Sequence, residues 1–134
     1  MKVSIVLPAK NESAAIGNTV EKIKALQIAH EIIVVNDGSS DNTRDVAEQA
    51  GAKVVTHPYS KGNGAAIKTG ARAAAGEVIV FMDADGQHDP QDIPRLLDKI
   101  EQGHDLVVGA RQQGSQASVG RGIANSLYNN LATY

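Results

Sequence analysis

Val78-Ile79-Val80-Phe81-Met82-Asp83-Ala84-Asp85-Gly86-Gln87 is an apolar run that ends in two carboxylates one residue apart. Strand side chains alternate faces, so Asp83 and Asp85 point the same way if the extended backbone continues through them. Two anions held side by side repel, and burying either one alone costs several kcal/mol. A divalent cation removes both penalties. Hard cations such as Mg²⁺ or Mn²⁺ take oxygen ligands, and protein carboxylates combined with substrate phosphate oxygens are a usual Mg²⁺ arrangement. Gln87 offers a further neutral oxygen. The stretch therefore reads as a buried strand tipped by a metal–diphosphate site, with Asp83, Asp85 and Gln87 as candidate ligands. The bland alternative is an Asp-x-Asp turn that caps the next helix, with Asp89 as a competing cap. His88 reads as a substrate contact or an ordinary loop histidine.

Working outward, four more apolar runs read as strands: Val3–Leu7, Glu31–Val35, Lys53–Thr56 and Leu106–Val108, with the opening run taken as Glu77–Met82. Several are apolar on both faces, as parallel strands covered on both sides are. Helical patterns lie between them. Ile16, Val20 and Ile23 form one stripe, and Ile93, Leu96, Leu97 and Ile100 form another behind Asp89-Pro90, a cap and a first-turn proline. Ser40 or Asp41 can cap a helix running to about Gln49 near Gly51, and the alanine- and glycine-rich Ala65–Ala75 predicts a helix close to the sheet. Strand alternating with helix gives right-handed βαβ units and a doubly wound, mostly parallel α/β sheet. Ligands bind such sheets beyond the carboxyl ends of the strands. The polar, unusual residues collect there: Pro8–Glu12, Asn36–Asp41, Pro58–Gly64, Asp83–Asp89 and Gly109–Arg111.

The totals bound the rest. A chain of 134 residues makes about one domain, and 42% hydrophobic with 21% charged residues is a globular composition. A net charge of −2 and the lack of a basic block argue against nucleic acid as a partner. With no cysteine there is neither a disulfide framework nor a thiolate zinc site, as suits a reducing compartment. No run approaches the ~18 apolar residues of a membrane span, and Met1-Lys2-Val3-Ser4 leads straight into a strand without a signal peptide. A soluble, cytoplasmic chain is expected. Val119, Ile123, Leu127 and Leu131 at four-residue intervals predict an amphipathic helix that breaks off at Tyr134 without a cap. The single domain, residues 1–134, is therefore expected to be incomplete at its C-terminus. Its apolar stripe would suit a missing segment, a partner helix, a second copy or a membrane surface.

Each remaining loop has two readings. In Pro8-Ala9-Lys10-Asn11-Glu12-Ser13, Asn11 or Ser13 can cap a helix, or Pro8–Lys10 and Glu12 can face a base and ribose. Asn36-Asp37-Gly38-Ser39-Ser40-Asp41 is turn chemistry, yet Asp37 at a strand tip can accept from a base or ribose donor. Lys61-Gly62-Asn63-Gly64 opens a helix whose N-terminus suits phosphate, or it is a tight turn. Its pattern is neither a Walker A loop nor a dinucleotide fingerprint. Arg111 and Arg121 are solvated charges or contacts to phosphate and acceptor.

Taken in order, Pro-Ala-x-Asn-Glu (8–12), Asn-Asp-Gly-Ser (36–39), Lys-Gly-x-Gly (61–64), Asp-Ala-Asp-x-Gln (83–87) and Gly-x-Arg (109–111) resemble the inverting glycosyltransferases of family 2. Within that family the resemblance is to the polyprenyl-phosphate branch, which includes dolichyl-phosphate mannose synthases. It implies the Rossmann-like GT-A nucleotide-sugar-binding fold, a Mg²⁺ or Mn²⁺ cofactor and a nucleoside-diphosphate sugar as donor. It also implies that Pro8, Ala9, Lys10, Glu12, Val35, Asp37 and Lys61 hold the nucleotide, together with Asp83, Ala84 and Asp85. Asp85 and Arg111 would be catalytic, with Arg111 against the phosphates. In this branch an arginine followed four residues later by serine receives the acceptor phosphate; here Arg121 is followed by Asn125, with Ser126 beside it. The acceptor implied is a dolichyl or undecaprenyl phosphate, met by peripheral association at the cytoplasmic face of a membrane during cell-envelope or glycan biosynthesis.

The implied chemistry is direct displacement at the anomeric carbon, with a nucleoside diphosphate leaving. A lipid phosphate is already ionised at neutral pH and needs no strong base, whereas a saccharide hydroxyl would require one. No carboxylate is convincingly placed for that task, so the phosphate acceptor is favoured. The alternatives are a family 2 transferase acting on a hydroxyl, a nucleotidyltransferase, and a non-catalytic nucleotide-binding fragment. A nucleotidyltransferase would carry a glycine- and arginine-rich loop after its first strand, which Pro8–Ser13 lacks.

Overall fold

The computed structural model describes residues 2–84, 90–101 and 107–108. Five strands form one parallel sheet: β1 (Val3–Ala9), β2 (Glu31–Asp37), β3 (Lys53–His57), β4 (Val78–Phe81) and β5 (Val107–Val108). Their spatial order is β3-β2-β1-β4-β5. Helices α1 (Ile16–Ala25), α2 (Thr43–Ala50) and α3 (Asn63–Ala73) make the crossovers among the first four strands, and a 3₁₀ turn (Pro90–Asp92) leads into α4 (Ile93–Glu101). The chain moves outward from β1 to β3, then crosses to the other side of β1 for β4. The order of strands therefore reverses between β1 and β4, the place where doubly wound sheets open a crevice.

Side-chain alternation builds a core on each face. Val3, Ile5 and Leu7 of β1, Ile32 and Val34 of β2 and Val78 and Val80 of β4 point to one side, where α1, α2 and α4 cover them. The α1 stripe of Ile16, Val20 and Ile23 is fully buried there, each side chain contributing about 1.5–3 kcal/mol of burial. On the other side Val6, Ile33, Val35 and Phe81 pack against Ala66, Ile67 and Ala71 of α3. Small residues let α3 lie close. A Cβ at Gly70 would come within 2.2 Å of Val6 Cγ1 and 3.2 Å of Val35 Cγ2, so a larger residue would push the helix off the sheet.

Element boundaries differ from the sequence reading at the ends that matter. β1 runs on to Ala9 and β2 to Asp37, because Pro8 and Ala9 find register partners in Val35 and Asn36, and Asp37 finds one in His57. The apolar pattern stops earlier than the ladder does. The helix read as Ala65–Ala75 begins at Asn63 and ends at Ala73. β3 ends the described sheet on one side, with Lys53 and Thr56 exposed. Leu106, Gly109, Ala110 and the helix expected over 119–134 lie outside the described residues. No helix among the described residues is long and apolar enough to cross a membrane.

Candidate functional site

The loop after β1 is fastened to the loop after β2. Asn11 adopts φ 54°, its backbone N–H donates to Ser39 Oγ at 2.9 Å, and its Oδ1 accepts from the Ser40 N–H at 2.8 Å and the Ser40 hydroxyl at 3.2 Å. Glu12 N–H donates to Thr43 Oγ1 at 2.9 Å, and Ser13 N–H to Asp41 Oδ2 at 3.3 Å. The Thr43 hydroxyl in turn donates to Asp41 Oδ1, and this bond leads the contacts that hold the Asp41 carboxyl at about 2. Neither Asn11 nor Ser13 caps α1; the helix starts at Ile16 behind Ala15, with no side-chain cap bond. Their polar atoms serve the neighbouring loop instead. In the β2–α2 connection Asn42 occupies the N-cap position without a side-chain bond, and Asp41, one of the two expected caps, accepts from the Thr43 N–H at the start of α2 at 3.0 Å.

Asp37, at the tip of β2, organises the loop after β3. Its Oδ1 accepts from His57 Nδ1 and the Lys61 N–H, each at 2.8 Å, and its Oδ2 accepts from the Gly62 N–H at 3.0 Å and the Ser60 hydroxyl at 3.1 Å. Burial by itself would raise this carboxyl's pKa; the donors from His57, Lys61, Gly62 and Ser60 outweigh burial and hold it at about 2. Gly38 makes room for that loop. It sits at φ 69°, and a Cβ there would lie 2.5 Å from the Ser60 backbone nitrogen.

Where these loops meet, a cavity of about 320 Å³ opens beyond the strand ends, beside the reversal of strand order. That volume is at the small end of the range for small-molecule sites. It is lined by Pro8 and Ala9 at the end of β1, by Lys10 and Glu12 of the loop that follows, by Asp37 at the tip of β2, and beyond β4 by Asp83 and Ala84. These seven are residues that the sequence reading named. Four others complete the wall: Ser60, Gly62, Asn63 and Ala66, from the β3–α3 loop and the first turns of α3. The motif Lys61–Gly64 marked this segment: two of its residues, Gly62 and Asn63, line the cavity, and Ser60 and Ala66 flank it. Two named residues do not line the cavity. Val35 is fully buried and packs under α3, and the Lys61 ammonium lies 5.4 Å from the centre of the exposed Tyr59 ring while its backbone N–H serves Asp37. Asp85, Gln87, Arg111, Arg121 and Asn125 lie outside the described residues.

The charge pattern bears on what enters. Among the described residues, Glu12, Asp37 and Asp83 line the cavity with one cationic side chain, that of Lys10. Asp37 meets four donors of its own, and the lining as a whole carries more carboxylates than cations, the wrong sign for an unaccompanied diphosphate. A hard divalent cation on Asp83 would reverse that sign, and a carboxylate oxygen suits Mg²⁺ or Mn²⁺. Among the described residues no group of three or more His, Cys, Asp or Glu side chains could hold a metal ion. Of the three candidate metal ligands, Asp83 is the one within the described residues, and it lies in the cavity lining.

The family model described as Glycosyl transferase family 2 matches residues 4–131. Undecaprenyl-phosphate 4-deoxy-4-formamido-L-arabinose transferase of Proteus mirabilis is 35% identical over 98% of this chain and 43% of its own length. Dolichol-phosphate mannosyltransferase of Pyrococcus furiosus is 38% identical over 83% of this chain and 33% of its own length. The chain thus spans less than half of either relative. Glucosyl-3-phosphoglycerate synthase of Mycobacterium tuberculosis, crystallised with Mn²⁺, UDP-glucose and phosphoglyceric acid, superposes with a TM-score of 0.68. The identity is 33%, over 77% of this chain and 40% of that one. The same synthase has also been crystallised with Mg²⁺ and UDP.

Proposed function

Because the chain belongs to glycosyl transferase family 2, we propose that it is the donor-binding part of an inverting transferase that moves a sugar from a nucleoside-diphosphate sugar to a polyprenyl phosphate. The observation that carries this reading is the acid-lined cavity at the reversal of strand order, built from the ends of β1, β2 and β4 and the start of α3. The relatives named for undecaprenyl phosphate and dolichol phosphate support the lipid acceptor.

In this reading Pro8–Lys10 and Glu12 face the base and ribose, while Lys10 and the first turn of α3 lie toward the phosphates. Asp83, Asp85 and Gln87 would hold Mg²⁺ or Mn²⁺, which when bound neutralises charge on the diphosphate. Arg111 would add a second positive charge against the leaving group, an electrostatic contribution that grows as the glycosidic bond breaks. The acceptor phosphate attacks the anomeric carbon on the opposite face from the leaving nucleotide, so configuration inverts. It arrives ionised and requires no base from this chain. Arg121 and Asn125 would receive that phosphate at the cytoplasmic face of a membrane. The nucleotidyltransferase alternative loses its ground with the family.

The test is transfer. The protein is incubated with a panel of UDP- and GDP-sugars, Mn²⁺ and undecaprenyl phosphate in detergent, and the lipid phase is extracted and analysed for sugar. The expected result is one sugar on the lipid in inverted configuration. Nucleotide uptake without any transfer would favour the nucleotide-binding fragment instead.

A further inference from the structure

His57 ends β3 and is the register partner of Asp37 on β2, one strand spacing away. The residue is only 6% exposed, and its ring bridges two elements. Nδ1 lies 2.8 Å from Asp37 Oδ1, and Nε2 lies 2.8 Å from Thr69 Oγ1 on α3. An ionised carboxylate only accepts, so the Nδ1–H donates to Asp37 in either protonation state of the ring. The Thr69 hydroxyl can donate or accept, and it fixes the far end of the imidazole.

A carboxylate offers about four acceptor positions. Those of Asp37 meet His57, Ser60, Lys61 and Gly62. Ser60, Lys61 and Gly62 belong to the loop being held. His57 alone of the four comes from the sheet, and it is tied to α3 as well. It therefore sets the plane of the carboxylate, and the carboxylate sets the Ser60–Gly62 backbone that forms one wall of the cavity. Neither His57 nor Thr69 lines that cavity.

We infer that His57 is a positioning residue for nucleotide binding, acting through Asp37 on the loop that leads into α3. The inference rests on the nucleotide reading above, since the wall it fixes is the one that reading assigns to the donor. Losing the Nδ1 donor frees the Asp37 carboxylate to turn, and the loop amides then lose aligned acceptors.

Two amide isosteres separate this role from simple packing. In His57→Asn the side-chain N–H falls near the Nδ1 position, and in His57→Gln it falls near Nε2. Two quantities are measured well below each variant's melting temperature: hydrogen exchange at the Lys61 and Gly62 amides, and calorimetric affinity for UDP and GDP with Mn²⁺. In His57→Gln both amides should exchange faster, and the affinity for whichever nucleotide the unaltered protein binds should fall about tenfold, the loss of one charge-assisted hydrogen bond. His57→Asn should restore both toward the unaltered protein. Unchanged amide exchange in His57→Gln overturns the inference. So does equal loss in both variants in proportion to their melting temperatures, which is what a packing role gives. If the unaltered protein binds neither nucleotide, the donor reading fails on its own, and the exchange comparison still decides whether His57 holds the loop.

Discussion

Asp37 and Gly38 sit side by side at the tip of β2 and shape the same loop by opposite means, one by attraction and one by vacancy. Asp37 gathers four donors. Gly38, at φ 69°, lets the Ser60 backbone approach to where a Cβ would be 2.5 Å away. Gly38→Ala would combine a left-handed backbone, about 1–2 kcal/mol, with an overlap against main chain that cannot rotate away, about 1–3 kcal/mol. Thermal unfolding should show a fall in Tm of several degrees, with weaker nucleotide binding. An unchanged Tm would mean that the loop has other room to settle. Asn-Asp-Gly-Ser announced a turn in the sequence, and both residues were legible as special. The partners of Asp37 were not, because the third strand was read to stop at Thr56, one residue short of His57, and Ser60 looks like any loop serine. Only the β2–β3 register brings His57 opposite Asp37.

Among the elements, the sheet is fastened at its other end by a buried acid. Glu31, the first residue of β2, accepts from the Ser4 hydroxyl of β1 and the Ala75 N–H, each at 2.6 Å, and from Lys53 of β3 at 3.0 Å. Ser4 Oγ also accepts from the Gly76 N–H at 2.9 Å, which ties the α3–β4 connection to the sheet. Lys53 is mostly exposed, so its ion pair adds little beside the buried bonds. Burial raises the Glu31 carboxyl, but the bonds from Ser4, Ala75 and Lys53 prevail and bring it from 4.5 to about 2. A carboxyl lowered in the folded state contributes stability that is complete above its unfolded value and lost as pH falls toward the folded one. Glu31 should therefore contribute up to about 3 kcal/mol at neutral pH, fading between about pH 4.5 and 2. Denaturant unfolding of the unaltered protein and Glu31→Gln across that range should give curves that converge in acid. A constant offset would show that the charge is not what matters. Within the described residues, periodicity in the sequence revealed which helices and strands exist and their parallel arrangement. It stopped short at Leu7 and Val35, because Pro8-Ala9 and Asn36-Asp37 break the apolar pattern while the ladder continues. One reading of Asn11 or Ser13 was a helix cap, because capping is what short polar side chains do next to their own helix. Here the neighbouring loop lies within reach and takes the side-chain bonds of Asn11 and the backbone N–H of Ser13 instead.

At the scale of the molecule, three loops joined by Asn11, Asp41 and Asp37 surround a cavity at the one place where the parallel sheet reverses its order. The loops brace one another before any ligand arrives, which lowers the ordering cost of binding. A cavity with Glu12 and Asp83 in its lining should take up a diphosphate only with a cation beside it. Calorimetric titration with UDP and GDP, with and without Mn²⁺, measures that directly, using Asp83→Ala and Asp85→Ala as controls. The expected result is uptake of at least one nucleotide that Mn²⁺ strengthens at least tenfold, with the Mn²⁺ effect lost in both variants. Binding that ignores Mn²⁺, or that both alanine variants retain in full, would contradict the metal–diphosphate site.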